Sequence, residues 1–68
     1  MPKLDAEQKA ILEALATMEK PAACGEIAKK AGLPTPKVVG RMRGLLVGQL
    51  VERPLEGKYV ISELGRTV

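Results

Sequence analysis

Three residues, Ala28, Gly32 and Val38, constrain this chain more than any other feature. Gly32 follows Ala28 by four positions, and Val38 follows Gly32 by six. Such spacing suits two helices that cross over a tight turn at roughly 90–120°. The crossing point needs a side chain no larger than a methyl group. The turn needs a residue that accepts positive φ, hence glycine. The second helix needs an apolar side chain pointing back at the first. Ile27, Ala31 and Leu33 supply the remaining apolar surface around the corner.

The second of these helices carries its own start signal. Thr35 has a hydroxyl suited to capping free N–H groups, and Pro36 next to it suits the first helical position. Val38, Val39, Met42, Leu45 and Leu46 then fall on one arc roughly 120° wide, a core-facing stripe. Lys37, Arg41 and Arg43 lie outside it. Gly40, Gly44 and Gly48 recur every four residues beside Lys37 and Arg41. Each interior glycine costs about 1 kcal/mol relative to alanine, so a strip of them suggests close approach of the helix backbone to a partner.

The rest of the chain supplies a frame around this pair. Asp5 and Gln8 have capping-box spacing, with Glu7 in the first turn, and Ile11, Leu12, Leu15 and Met18 recur at helical spacing. The pattern predicts a first helix over 5–18 that closes the core. Further helices are expected over 24–31 and 35–48. After Gly48 the period falls from 3.6 to 2, which predicts strands over 50–53 and 58–62 with a turn at 54–57. Ser62, followed by Glu63, Leu64 and Gly65, suggests a final capped turn with Leu64 pinning the tail. With 68 residues the expectation is a single domain over 1–68. The only aromatic residue is Tyr59, so the core must be aliphatic. Stacking on aromatic rings is thereby removed as a way to hold single-stranded nucleic acid.

The run EIAKKAGLPTPKVVGRMRGLLVGQLVER, over 26–53, resembles the helix-turn-helix of the winged-helix superfamily, the fold of many small bacterial and archaeal transcription regulators. The likeness continues through a short loop, KYVIS and ELGR. It implies a mainly α fold with a small β wing: a three-helix winged helix-turn-helix followed by a two-stranded antiparallel hairpin. It also implies a regulator that binds duplex DNA through the second helix of the motif and a short basic wing. At the two positions after Val38 the family usually carries a polar and a basic residue that face DNA. Here Val39 and Gly40 stand there, with charge moved to Arg41 and Arg43. Where the family usually ends this helix on glycine, Gly48 is followed by Gln49.

Charge distribution points the same way. Eleven basic residues stand against eight acidic ones, and between Ile27 and Val51 there are five basic residues and no acidic one. A basic run confined to the helix pair favours a polyanion partner. The expected DNA contacts are Thr35, Lys37, Val39, Gly40, Arg41, Arg43, Arg53 and Lys58. Val39 and Gly40 lead to an expectation of weak specificity and mostly backbone binding. The alternative is an adaptor that docks on another protein through the Gly40, Gly44 and Val47 face. A homodimer or a protein partner stays open beside duplex DNA.

Other functions have little to build on. The chain has no histidine, one cysteine and no phosphate-binding glycine loop, so no enzyme, metal site or small-molecule cofactor is expected. No stretch reads as a signal peptide or membrane span, and the expected location is the cytoplasm. Cys24 sits where a helix dipole lowers a thiol pKa, or alternatively where a small apolar residue tucks under the turn.

Overall fold

The computed structural model describes residues 4–67. Its elements run α1 (Ala6–Ala16), α2 (Cys24–Ala31), α3 (Thr35–Val47), β1 (Val51–Leu55), β2 (Lys58–Ile61) and α4 (Glu63–Thr67). The fold is a winged helix-turn-helix with a short fourth helix where the sequence suggested a turn. Ile11, Leu15, Ile27, Val38, Met42 and Leu45 are fully buried between the helices, and Leu50, Val51 and Ile61 join them from the wing.

The start of α1 follows from its capping box. Asp5 accepts the Gln8 N–H at 2.7 Å, and the Gln8 side chain accepts the Asp5 N–H at 3.3 Å. The end comes earlier than the expected Met18. The Thr17 and Met18 N–H groups bond carbonyls three residues back, at 3.2 and 3.0 Å, and the Thr17 hydroxyl donates to Ala14 O at 2.8 Å. That local hydroxyl bond competes with continued helix and tightens the last turn.

At the corner, Ala28 is buried and Gly32 is left-handed at φ 73°. The Leu33 N–H then reaches back to Ala28 O at 3.0 Å, closing α2 and turning the chain. One expectation fails here: Thr35 does not cap α3. Pro34 holds the cap position at ψ 142°, and its carbonyl accepts from Lys37 and Val38 at 3.0 and 3.3 Å. Thr35 therefore begins the helix, Pro36 follows second, and the Thr35 hydroxyl makes no cap bond.

The far end of α3 also differs by one residue. Gly48 stays right-handed, and Gln49 takes the left-handed conformation at φ 63°. Gln49 N–H bonds Leu46 O at 3.0 Å and Leu50 N–H bonds Leu45 O at 2.9 Å, the paired bonds of a Schellman ending. The glycine thus stands one position before the residue that most needs it.

Strand β1 starts at Val51 rather than 50 and runs through Pro54 to Leu55. Val51 pairs with Ile61, Glu52 with Val60 and Leu55 with Lys58. Arg53 and Pro54 therefore oppose Tyr59 alone, a bulge that accommodates a proline with no N–H to donate. The turn shrinks to Glu56 and Gly57, with Gly57 at φ 75°. On its other edge, Tyr59 exchanges hydrogen bonds with Ala22 at 2.9 and 3.0 Å, tying the wing to the segment between α1 and α2.

Ser62 joins the wing to α4 and to the end of α3. Its hydroxyl donates to Gln49 O at 2.6 Å and accepts the Gly65 N–H at 3.0 Å. Leu64 does not pin the tail, since it is exposed. Gly65 does, because α4 lies against β1's start so closely that an added Cβ would run into the Leu50 carbonyl.

Candidate nucleic-acid interface

Helix α3 is oriented by its buried side, and that orientation sorts every other residue on it. Val38, Met42 and Leu45 point inward. At about 100° per residue, Pro36, Gly40, Arg43 and Val47 then point away from the core, with Val39 at one margin. The spacing of Val39 groups it with the apolar stripe, but it is 55% exposed, and Val47 is 79% exposed. A residue near the edge of a stripe faces the core only if an element packs over it.

The opposite margin carries Lys37, Arg41 and Gly44, and α1 packs over that one. The Arg41 Nε donates to Glu7 Oε1 at 2.9 Å and lies 3.4 Å from Asp5 Oδ2. Lys37 Nζ lies 3.9 Å from the other Glu7 oxygen. The Glu7 hydrogen bond, together with the Asp5 and Glu7 charges, holds the Arg41 guanidinium protonated still more firmly than usual. An alanine Cβ at Gly44 would sit 3.3 Å from the Gln8 side-chain amide, whereas one at Gly40 would meet nothing within 4 Å. The glycine strip expected from spacing is therefore split. Gly40 is open and Gly44 borders α1.

The start of α3 offers few free N–H groups to an anion. Pro36 has no N–H, and the Lys37 N–H is taken by the Pro34 carbonyl. That leaves the Thr35 N–H and its exposed hydroxyl. On the wing, Arg53 is exposed at the bulge and has no ion pair among the described residues. Lys58 stands 3.8 Å from Glu26, whose carboxylate also accepts the Ala23 N–H at 3.1 Å. Arg43 likewise has no carboxylate partner among the described residues. Of the eight candidates, the structure thus leaves Thr35, Val39, Gly40, Arg43 and Arg53 without such partners. It engages Lys37, Arg41 and Lys58.

The acids on α1 are what sequence reasoning missed. Glu7 and Arg41 lie 34 residues apart. The one available signal was that Asp5 and Glu7 open the helix that must cover α3.

Elsewhere, a surface groove of about 570 Å³ is lined by Leu46, Gln49, Val51, Glu52, Ser62, Glu63 and Leu64. Its charged residues, Glu52 and Glu63, are acidic. The Ser62 hydroxyl in it is already committed as both donor and acceptor. Cys24 opens α2 and packs partly against the core, and burial pushes its thiol pKa up. That is the behaviour of a packed side chain rather than a reactive one. Among the described residues no cluster of His, Cys, Asp and Glu is suited to a metal, and no helix is long and apolar enough to cross a membrane.

Comparison with known proteins returned one family. The model of the IclR helix-turn-helix domain matches residues 10–54, from within α1 through most of β1. Neither the curated proteins nor the solved structures gave a match.

Proposed function

The chain belongs to the IclR helix-turn-helix family, a winged-helix DNA-binding domain of transcription regulators, and from that premise we propose that it holds duplex DNA with the outward side of α3. Thr35, Val39, Gly40 and Arg43 meet the major groove, and Arg53 on the wing meets a flanking phosphate. One observation carries this assignment: on the outward side Gly40 is open and Arg43 has no carboxylate partner among the described residues, while Arg41 is paired with Glu7 and Asp5 and Lys37 lies 3.9 Å from Glu7. An arginine paired with two carboxylates has its charge balanced within the protein, so it contributes less to holding a polyanion. Lys58 has one mostly exposed glutamate as its partner, at 3.8 Å, and adds a second wing contact.

Such an interface positions itself largely through phosphate and reads sequence at few places. Two copies on paired half-sites are the arrangement that gives such a helix enough contacts for a regulator. Titrating the labelled protein with duplex DNA while following backbone amide shifts tests the assignment. The amides of Thr35, Val39, Gly40, Arg43 and Arg53 should move, and those around Lys9 and Glu13 should not. Shifts confined to α1 and α4 would refute it.

The exposure of Val47 favours a second reading, docking on another protein through the Gly40, Gly44 and Val47 face. Gln8 occupies space beside Gly44, which narrows that face. Concentration-dependent association without DNA, lost in Val47→Ser, would support it.

A further inference from the structure

We propose that Val39 recognises the C5 methyl group of thymine, with Arg43 taking a neighbouring guanine edge; the proposal rests on the outward side of α3 being the DNA contact. A single exposed valine needs no special explanation. Three observations together set this one apart. Val39 is 55% exposed on a helix whose other large apolar residues, except Val47, pack into or against the core. Gly40, its neighbour, has nothing within 4 Å of a built Cβ, so the backbone beside Val39 can approach a partner closely. Thr35, Val39 and Arg43 succeed one another at intervals of four, which places a hydroxyl, an isopropyl group and a guanidinium along one line.

That order of groups has a counterpart in DNA. Residues four apart rise about 6 Å along a helix, close to the span of two base steps. In the major groove thymine alone presents a methyl group. Cytosine presents an amino donor there and adenine another, and an isopropyl group leaves either unpaired. Guanine O6 and N7 form the edge that an arginine fork fits. The Arg43 guanidinium has no carboxylate partner among the described residues to hold it back. Val39 is therefore a specificity-determining residue that favours thymine one or two base pairs from guanine. The preference is modest because a single methyl contact carries it.

The test compares a short mixed-sequence duplex rich in G–T steps with the same duplex in which deoxyuridine replaces every thymidine. The exchange removes the methyl and keeps the base pairing. Burying one methyl group predicts that the parent protein binds the deoxyuridine duplex about three- to fivefold more weakly. Val39→Ala should bind the two duplexes equally, while Arg43→Ala should weaken both and keep the ratio between them. Unchanged thermal unfolding of Val39→Ala confirms that an exposed residue has been altered without loss of fold. A parent protein indifferent to the methyl group overturns the proposal. So does a Val39→Ala variant that keeps the parent's ratio. Failure to bind either duplex at low salt refutes the underlying DNA contact as well, and is distinct from binding without preference.

Discussion

The two margins of α3 carry similar residues and meet different fates. On one side Lys37, Arg41 and Gly44 lie under the start of α1, where Glu7, Asp5 and Gln8 engage them. On the other, Val39, Gly40 and Arg43 face outward without such partners among the described residues. By sequence alone Arg41 and Arg43 are equivalent: two arginines, two residues apart, both off the apolar stripe. What separates them is about half a turn of helix and the acids of another element. A basic residue on a recognition helix is therefore a DNA-contact candidate only after its protein partners are counted.

The comparison depends first on the rotation of α3, which the crossing with α2 sets. Ala28→Leu puts three extra carbons into that buried crossing and should cost on the order of 1–3 kcal/mol. Thermal unfolding measures it, and a variant as stable as the parent would mean that Ala28 does not define the crossing.

A smaller effect sharpens the contrast between the open and covered sides. Gly40→Ala meets nothing and should stabilise the isolated chain by up to about 1 kcal/mol. It should also weaken DNA binding, since the methyl stands where the duplex approaches. Gly44→Ala must push the Gln8 amide aside, so its gain in stability should be smaller and DNA binding should hardly change. Equal behaviour of the two variants in denaturation and in DNA titration would erase the distinction between the sides.

These glycines also show what the sequence made legible. The Ala28–Gly32–Val38 spacing, the Asp5–Gln8 capping box, the change of period after Gly48 and the Ser62 cap are local patterns. The structure realises each of them, with the strands displaced by one or two residues from 50–53 and 58–62. Long-range choices left no such trace. Gly40 and Gly44 look alike until α1 is laid over one of them, and Glu7 has no sequence neighbour that foretells Arg41. Pro54 reads as the start of a turn at 54–57, because a bulge opposite Tyr59 depends on the partner strand. The close fit of Gly65 on the Leu50 carbonyl requires the whole wing to be in place.

The smallest effect concerns where α3 stops. Gln49 is left-handed without being glycine, a conformation that costs a residue with a side chain about 1 kcal/mol. Gln49→Gly should recover part of that, a few tenths of a kcal/mol after the added freedom of the unfolded chain is subtracted. Urea denaturation resolves the difference, and a destabilised variant would show that the Gln49 side chain contributes contacts of its own.

The unequal roles of the two arginines are tested most directly by affinity. Arg41→Gln and Arg43→Gln have the same net charge, so any difference between them reports position rather than overall electrostatics. With binding to one guanine-containing duplex measured at a fixed low salt concentration, Arg43→Gln should weaken binding by about 1–3 kcal/mol, the worth of one guanine-edge contact. Arg41→Gln should bind close to the parent, because the guanidinium it removes is paired with Glu7 and Asp5. Equal weakening by both variants, or a larger loss for Arg41→Gln, would contradict the account.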